Sequence, residues 1–315
     1  MNTGILLSYK GLGTNLLHLS YCHQIAKKFG PVQIITLSSK LKDAIIDDPL
    51  INDIIYLDRY NKKLTDVLKL SNFLKGYNFT NLFIFYPSIR FVFAAKLAKI
   101  KNIFHYPILK KQNLHLVKAA KAFTEKSLNI SNCPTETNLF INKNNKDLAK
   151  AYLKDNKKNI VIGVGSSGPT PKWGFSNYAR LIKELKKNGN FYFFILGGPE
   201  DSNEVNKIIN EIGNNDCVSL CSKKIDEIVP LISVCDLYIG NDSFGQHVAC
   251  QSSVPSIVLL LDTPRAYSDY SVNQYRILPE GIDIENINHD STISPERIKV
   301  DIVLKKGLSL LDKIN

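Results

Sequence analysis

Four short stretches of this 315-residue sequence gather the residue types that bind phosphates and hydroxyls. The richest is Gly240-Asn241-Asp242-Ser243-Phe244-Gly245-Gln246-His247, which closes an apolar run. Asp242 and Ser243 stand where a strand hands over to a helix, and a helix N-terminus presents unpaired N–H groups and a positive dipole end to an anion. His247 follows Ser243 by four residues, which returns it to the same side of the helix one turn in. A satisfied core histidine is the plain alternative; the Asn-Asp-Ser run before it favours a site.

The second stretch is Gly163-Val164-Gly165-Ser166-Ser167-Gly168-Pro169-Thr170-Pro171-Lys172-Trp173. Ser166, Ser167 and Gly168 supply hydroxyl and backbone donors, and Lys172 a cation suited to a diphosphate. A Pro-rich connection carrying the one Trp of the chain is the alternative. In the third, Gly197-Gly198-Pro199-Glu200-Asp201, a carboxylate at a strand end can hold ribose hydroxyls or simply cap the helix that follows. The fourth, Tyr9-Lys10-Gly11-Leu12-Gly13-Thr14-Asn15, puts two glycines between a first strand and a first helix, for a tight turn or for close approach to a ligand. It is not a dinucleotide fingerprint, because Leu16 stands where the third glycine belongs, and no G-x-x-x-x-G-K-[ST] loop occurs in the chain.

The elements that must carry these loops alternate. In the first half the pattern predicts strands over 5–9, 32–37, 54–57, 82–86 and 103–104, with helices over 15–29, 40–46, 64–74, 88–98 and 114–127. A polar, Asn/Lys-rich linker with one short helix covers about 130–158. Beyond it come strands over 159–164, 191–196, 217–220, 237–239 and 257–261, with helices over 176–187, 200–212, 225–234 and 243–250. A closing helix over 295–311 has Ser294 as its cap and Pro295 in its first turn. Strands apolar on both faces, alternating with helices, signify parallel sheets with right-handed crossovers. The expectation is an α/β chain of two open parallel sheets, residues 1–150 and 151–315, with a cleft between their strand C-termini where ligands bind.

Composition agrees: 44% hydrophobic and 22% charged residues are globular values, and the length suits two α/β domains rather than one core. No apolar run approaches the roughly 18 residues of a spanning helix, and the N-terminus shows no signal segment, so a cytoplasmic location is expected. Six scattered cysteines read as free thiols; Cys217 and Cys221 lack the second pair a zinc site needs. The net charge of +11 is lopsided: residues 1–150 hold 22 Lys+Arg against 9 Asp+Glu, residues 151–315 hold 18 against 20. A basic N-terminal half suits an anionic partner, although lysine-rich helices also serve as solvated faces. Nucleic acid is not expected, since no interleaved basic and aromatic pattern supports it.

Together the three C-terminal stretches resemble glycosyltransferase family 9, the ADP-heptose:lipopolysaccharide heptosyltransferases and their relatives. The resemblance is strongest from Ile160 to Pro264, where a loop ending in Lys, a G-G-P-E-D turn and D-S-x-x-x-H occur in the family's order. It implies a GT-B fold of two Rossmann-like domains, a nucleotide-diphosphate sugar (an ADP-sugar first) held by the C-terminal one and the acceptor by the N-terminal one. It further implies inversion at the anomeric carbon by direct displacement, with no obligatory metal or other cofactor. By matching position Ser166, Ser167 and Lys172 contact the diphosphate, Glu200 or Asp201 the ribose or base, and Asp242, Ser243, Phe244, Gly245 and His247 the phosphates and sugar. The acceptor is then a lipopolysaccharide or other envelope glycan, and the basic half faces an anionic glycolipid at the inner membrane surface.

Two departures stand out. Phe244 occupies the place of the glycine that usually follows Ser, with Gly245 one residue later. Thr14, on the acceptor-side loop with Gly11 and Gly13, occupies the place of the family's Asp base, and a threonine cannot take a proton at neutral pH. The other groups that could do so are Asp58 and His105 at strand ends and His18, one turn past Thr14. The alternatives to a transferase are a non-catalytic nucleotide-sugar binder of the same fold and a nucleotide-sugar epimerase.

Overall fold

The computed structural model describes residues 2–58, 64–107, 116–166, 172–262, 267–268, 270–288 and 292–314. The chain divides into two compact units, Met1–Phe140 and Ile141–Asn315.

The N-terminal unit is a five-stranded parallel sheet of β1 (Thr3–Leu7), β2 (Val32–Thr36), β3 (Ile51–Tyr56), β4 (Asn81–Ile84) and β5 (Asn102–His105), in the order β3-β2-β1-β4-β5. β1 and β4 are buried along their whole length, as strands covered by helices on both faces must be. The helices are α1 (Leu12–Leu17), α2 (Leu19–Phe29), α3 (Leu41–Ala44), α4 (Leu64–Gly76), α5 (Ile89–Leu97) and α6 (Leu116–Leu128). Strand order reverses between β1 and β4, so the loops leaving these two strands flank the crevice of this sheet.

The C-terminal unit repeats the plan. Its sheet runs β11-β10-β9-β6-β7-β8, all parallel, from β6 (Lys158–Gly163), β7 (Phe191–Leu196), β8 (Cys217–Ser219), β9 (Leu237–Asn241), β10 (Ser256–Leu259) and β11 (Gln274–Ile277). The reversal falls between β6 and β9. α7 (Lys143–Lys150), α8 (Phe175–Asn188), α9 (Ser202–Ile212), α10 (Ile225–Val234), α11 (Phe244–Gln251) and α12 (Val300–Leu311) cover it. α7, in the linker stretch, packs on α10 and so sits with this unit.

Three local expectations are corrected. The helix expected over 15–29 is two helices that meet at His18: the Thr14 carbonyl that the His18 N–H would reach takes the ring Nδ1–H instead, and the His18 N–H turns to Asn15 O at 3.0 Å. The closing helix starts at Val300; Pro295–Arg297 is a separate 3-10 turn. β11 was not foreseen at all. Among the described residues no helix is long and apolar enough to cross a membrane, and no group of three or more His, Cys, Asp or Glu is placed to hold a metal ion. All six cysteines are free and buried.

Candidate functional site

The C-terminal ends of β6 and β9 are tied by one buried amide. Asn241, the last residue of β9, donates from Nδ2 to the Val164 carbonyl (2.8 Å) and accepts the Trp173 backbone N–H at Oδ1 (3.1 Å). Trp173 is fully buried and donates from Nε1 to Ile298 O (2.9 Å). The loop that leaves β6 is therefore anchored at both ends against β9. Ser166 and Lys172 bracket it; Ser167, expected to contact a diphosphate, lies outside the described residues with the rest of the loop.

Lys172 reaches the end of the neighbouring strand. Its Nζ donates to Asp201 Oδ1 at 2.7 Å, and Asp201 Oδ2 accepts the Gly198 N–H at 2.9 Å. Asp201 is buried with both oxygens engaged, which makes it the fixed counter-ion of Lys172, whereas Glu200 beside it is exposed. Of the two carboxylates, Glu200 is the one open to a ligand. Gly165 makes the packing possible: a Cβ there would meet Asp201 Oδ2 at 2.7 Å and Gly197 Cα at 3.2 Å.

At the end of β9, Ser243 is the N-cap of α11 but makes no capping bond to the helix. Its hydroxyl pairs instead with the Tyr238 hydroxyl at 3.0 Å, and the first-turn N–H groups of α11 keep their anion-binding character. The Tyr238 ring fills the space under the two strand ends, where a Cβ on Gly163 would collide with its hydroxyl. Phe244 is half-buried and Gly245 buried.

Asp242 and His247 belong to a polar layer beneath that helix. Gln246, fully buried, donates from Nε2 to Asp242 Oδ1 (2.8 Å), lies 3.1 Å from His247 Nε2, and accepts at Oε1 from Gln274 Nε2 (2.6 Å). His247 is buried, hydrogen-bonds from Nδ1 with the Tyr270 hydroxyl at 2.7 Å and stacks on that ring. Its Nε2 stands 3.7 Å from Asp242 Oδ1. Burial raises the pKa of the Tyr267 phenol, with the Asp242 charge adding to the effect. Gln246 thus holds the strand-end carboxylate by its hydrogen bond, and His247 stands behind it against Tyr270. Gln274 and Tyr270 are the participants that motif reading missed; Asn241 and Gln246 stood within the stretch read as a site but were given no role of their own.

In the N-terminal unit the loop after β1 is held the same way. Asn15, buried, donates from Nδ2 to the carbonyls of Tyr9 (3.0 Å) and Gly11 (2.7 Å) and accepts at Oδ1 from the Thr36 hydroxyl (2.7 Å). The loop expected to run through Thr14 ends sooner: Gly11 is the exposed N-cap of α1, and Gly13 and Thr14, both half-buried, lie in its first turn. His18 lies beneath it. Its Nδ1–H donates to Thr14 O (2.7 Å), which leaves the lone pair on Nε2, buried and without a partner among the described residues. Tyr9 stacks on the ring at 4.8 Å, and Tyr21 and Phe85 meet it edge-on. Burial lowers its pKa to about 4, the bond to Thr14 O opposing. His105 ends β5 and donates from Nδ1 to Tyr106 O (2.8 Å); Asp58 is exposed two residues beyond β3. Of the three groups considered as substitutes for the missing Asp, only His18 is tied to Thr14.

Two doubly wound parallel units, each with its polar loops at the point where strand order reverses, define the GT-B class of fold. The particular lineage follows from sequence: the model of glycosyltransferase family 9 (heptosyltransferase) matches residues 92–278, more than half of the chain, and the chain belongs to that family. Lipopolysaccharide heptosyltransferase 1 of Campylobacter coli is 31% identical over 144 residues, which are 44% of this chain and 42% of that protein. The match therefore spans less than half the length of this curated relative. Among solved structures, the E. coli ADP-heptose LPS heptosyltransferase II superposes with a TM-score of 0.75 at 16% identity, over 99% of both chains. The E. coli heptosyltransferase WaaC with ADP does so with a TM-score of 0.72 at 12% identity, over 98% of this chain and 100% of that one.

Proposed function

We propose that this protein is an inverting glycosyltransferase that moves a sugar, heptose in the first instance, from an ADP-sugar to a lipopolysaccharide-type glycan. The observation that carries the reading is that Lys172 and the N-terminus of α11, which has no side-chain cap, both stand at strand C-termini on the same edge of one sheet, with Trp173 beside Lys172 bonded to Asn241 of β9. In displacement at the anomeric carbon, an acceptor hydroxyl oxygen forms the new bond while the diphosphate oxygen leaves with the bonding pair. Negative charge grows on the leaving diphosphate, and a cation with helix N–H groups, preorganised where it grows, lowers the barrier. On this reading Glu200, exposed beside Gly198, accepts from ribose hydroxyls, and Asp242 from the sugar. ADP in the WaaC complex and ADP-heptose in the name of the second E. coli enzyme support adenine as the base.

The test is thermal stabilisation by ADP, UDP, GDP and CMP. A nucleotide at about 100 times its Kd adds roughly 2.7 kcal/mol to stability. ADP is expected to shift the melting temperature most, and Lys172→Ala and Asp242→Ala to reduce that shift to half or less. No shift with any nucleotide overturns the reading.

Thr14 favours a second reading, a donor-binding protein that does not catalyse, since the acceptor proton has no carboxylate to go to at that position. It predicts the same ADP shift with neither transfer nor donor hydrolysis. On either reading the basic N-terminal unit serves an anionic glycolipid or glycan at the inner face of the membrane, with the protein itself cytoplasmic.

A further inference from the structure

Helix α5 is apolar on both sides. Its inner side, Phe91, Val92, Ala94 and Ala95, is buried in the core of the N-terminal unit. The outer side of such a helix is normally polar. Here it carries Ile89, Phe93 and Leu97, which are 63%, 58% and 39% exposed. Four-residue spacing lines the three up as one stripe along the whole helix. At 100° per residue Lys96 falls on one flank of the stripe and Arg90 on the other, both exposed. Exposed Lys99 and Lys101 follow directly after the helix.

A stripe of this kind marks an interaction surface, and the charge around it says with what. From Val67 to Thr124 the sequence contains no Asp or Glu and ten Lys or Arg. A second copy of the chain would bring these cations against one another, which disfavours pairing. An anionic bilayer meets both needs at once: acyl boundary for Ile89, Phe93 and Leu97, and headgroup charge for the flanking cations.

The stripe also starts beside the acceptor-side loop. α5 begins beyond the C-terminal end of β4, the strand paired with β1, whose following loop leads into α1 and Thr14. Tyr86, 39% exposed, connects the two, edge-on to Tyr9 at 6.2 Å and to Phe91 at 6.0 Å.

We propose that the outer face of α5, Ile89, Phe93 and Leu97 between Arg90 and Lys96, docks this protein on an anionic lipid bilayer. The inference rests on the glycolipid-acceptor reading for its purpose; its evidence and its test do not involve the nucleotide site.

The test is flotation of the full-length protein with vesicles of phosphatidylcholine, alone or with about a third phosphatidylglycerol. The wild type is expected to bind the anionic vesicles and to leave the neutral ones. Ile89→Ser/Phe93→Ser should weaken that binding at least tenfold. Arg90→Gln/Lys96→Gln should weaken it roughly 25-fold at low salt, each basic residue near an anionic surface being worth about 1 kcal/mol, or roughly fivefold. Leu148→Ser removes a side chain 67% exposed on α7, in the other unit, and should change nothing. Unaltered melting temperatures separate loss of docking from loss of fold. Equal vesicle binding by wild type and the Ile89→Ser/Phe93→Ser variant overturns the proposal. So does no binding by the wild type together with dissociation of an oligomer in that variant by light scattering, which would mean that protein covers the stripe. ADP-induced stabilisation, measured on the same samples, keeps the two readings apart: its absence with vesicle binding intact strikes the donor site alone.

Discussion

Lys172 Nζ stands 2.7 Å from Asp201 Oδ1 across the ends of two neighbouring strands, and the carboxylate is the buried member of the pair. An ammonium carries three donors, so Lys172 can keep this bond and still offer N–H groups to a phosphate. Asp201 then acts by aiming Lys172. Lys172→Ala is expected to weaken ADP binding by about 10- to 100-fold, the range of a charge-assisted hydrogen bond, while leaving adenosine binding nearly unchanged. Asp201→Asn should give a smaller loss with the same selectivity. Calorimetric titration with both ligands checks this; an equal loss for adenosine would take Lys172 off the phosphate.

Asn241 joins the Val164 carbonyl to the Trp173 N–H through one side chain, at a site closed to water. Asn241→Ala leaves an acceptor and a donor buried and unmatched, at roughly 1–3 kcal/mol each. The expected result is a stability loss of about 2–4 kcal/mol in urea unfolding, with nucleotide affinity falling further, because the loop carrying Lys172 loses its anchor. Unchanged affinity in a folded variant would separate that anchor from binding.

What could be read in advance, and what could not, follows from the range of the interactions. The run from Asn241 to His247 was legible because strand end, helix start and polar side chains are contiguous. Central strands such as β7, buried at all six positions, declare themselves as unbroken apolar runs. β11 does not: it is an edge strand of four residues, Gln274-Tyr-Arg-Ile277, of which only Ile277 is buried. Its Gln274, which completes the polar layer under α11, was hidden with it. The break at His18 leaves the apolar spacing of Leu16, Leu19, Cys22 and Ala26 intact, so periodicity runs straight through it. The Lys172–Asp201 pair spans 29 residues and forms only because β6 and β7 are neighbours.

Thr14 is the place to ask whether the chain catalyses. General base catalysis contributes typically 10²–10⁴-fold, and Thr14 in the first turn of α1 stands where the family's carboxylate would be. Thr14→Asp is expected to raise the rate of sugar transfer, or of donor hydrolysis where no acceptor is supplied, by at least tenfold, with ADP affinity unchanged. The readout is release of nucleoside diphosphate. A variant no faster than wild type would mean that another group already takes the proton or that the acceptor does not reach Thr14.

His18 sets a pH limit on the N-terminal unit. In the native state burial holds its pKa near 4, against about 6.5 in an unfolded chain, so below pH 6.5 the unfolded state binds the extra proton. A depressed histidine therefore contributes nothing adverse above pH 6.5 and costs stability progressively as pH falls from 6.5 towards 4. The full difference of about 2.5 units corresponds to roughly 3 kcal/mol. The remedy of opening the site is expensive, because the ring is enclosed by Tyr9, Tyr21 and Phe85 and its Nδ1–H fixes the Thr14 carbonyl. His18→Gln keeps a donor for that carbonyl and removes the titration. Its stability at pH 7.5 should fall below that of the wild type through poorer packing, while its loss between pH 6.5 and 4.5 should be smaller by about 2–3 kcal/mol. Denaturant unfolding of both proteins across that range decides the matter: parallel profiles would show that His18 is not held neutral in the native state.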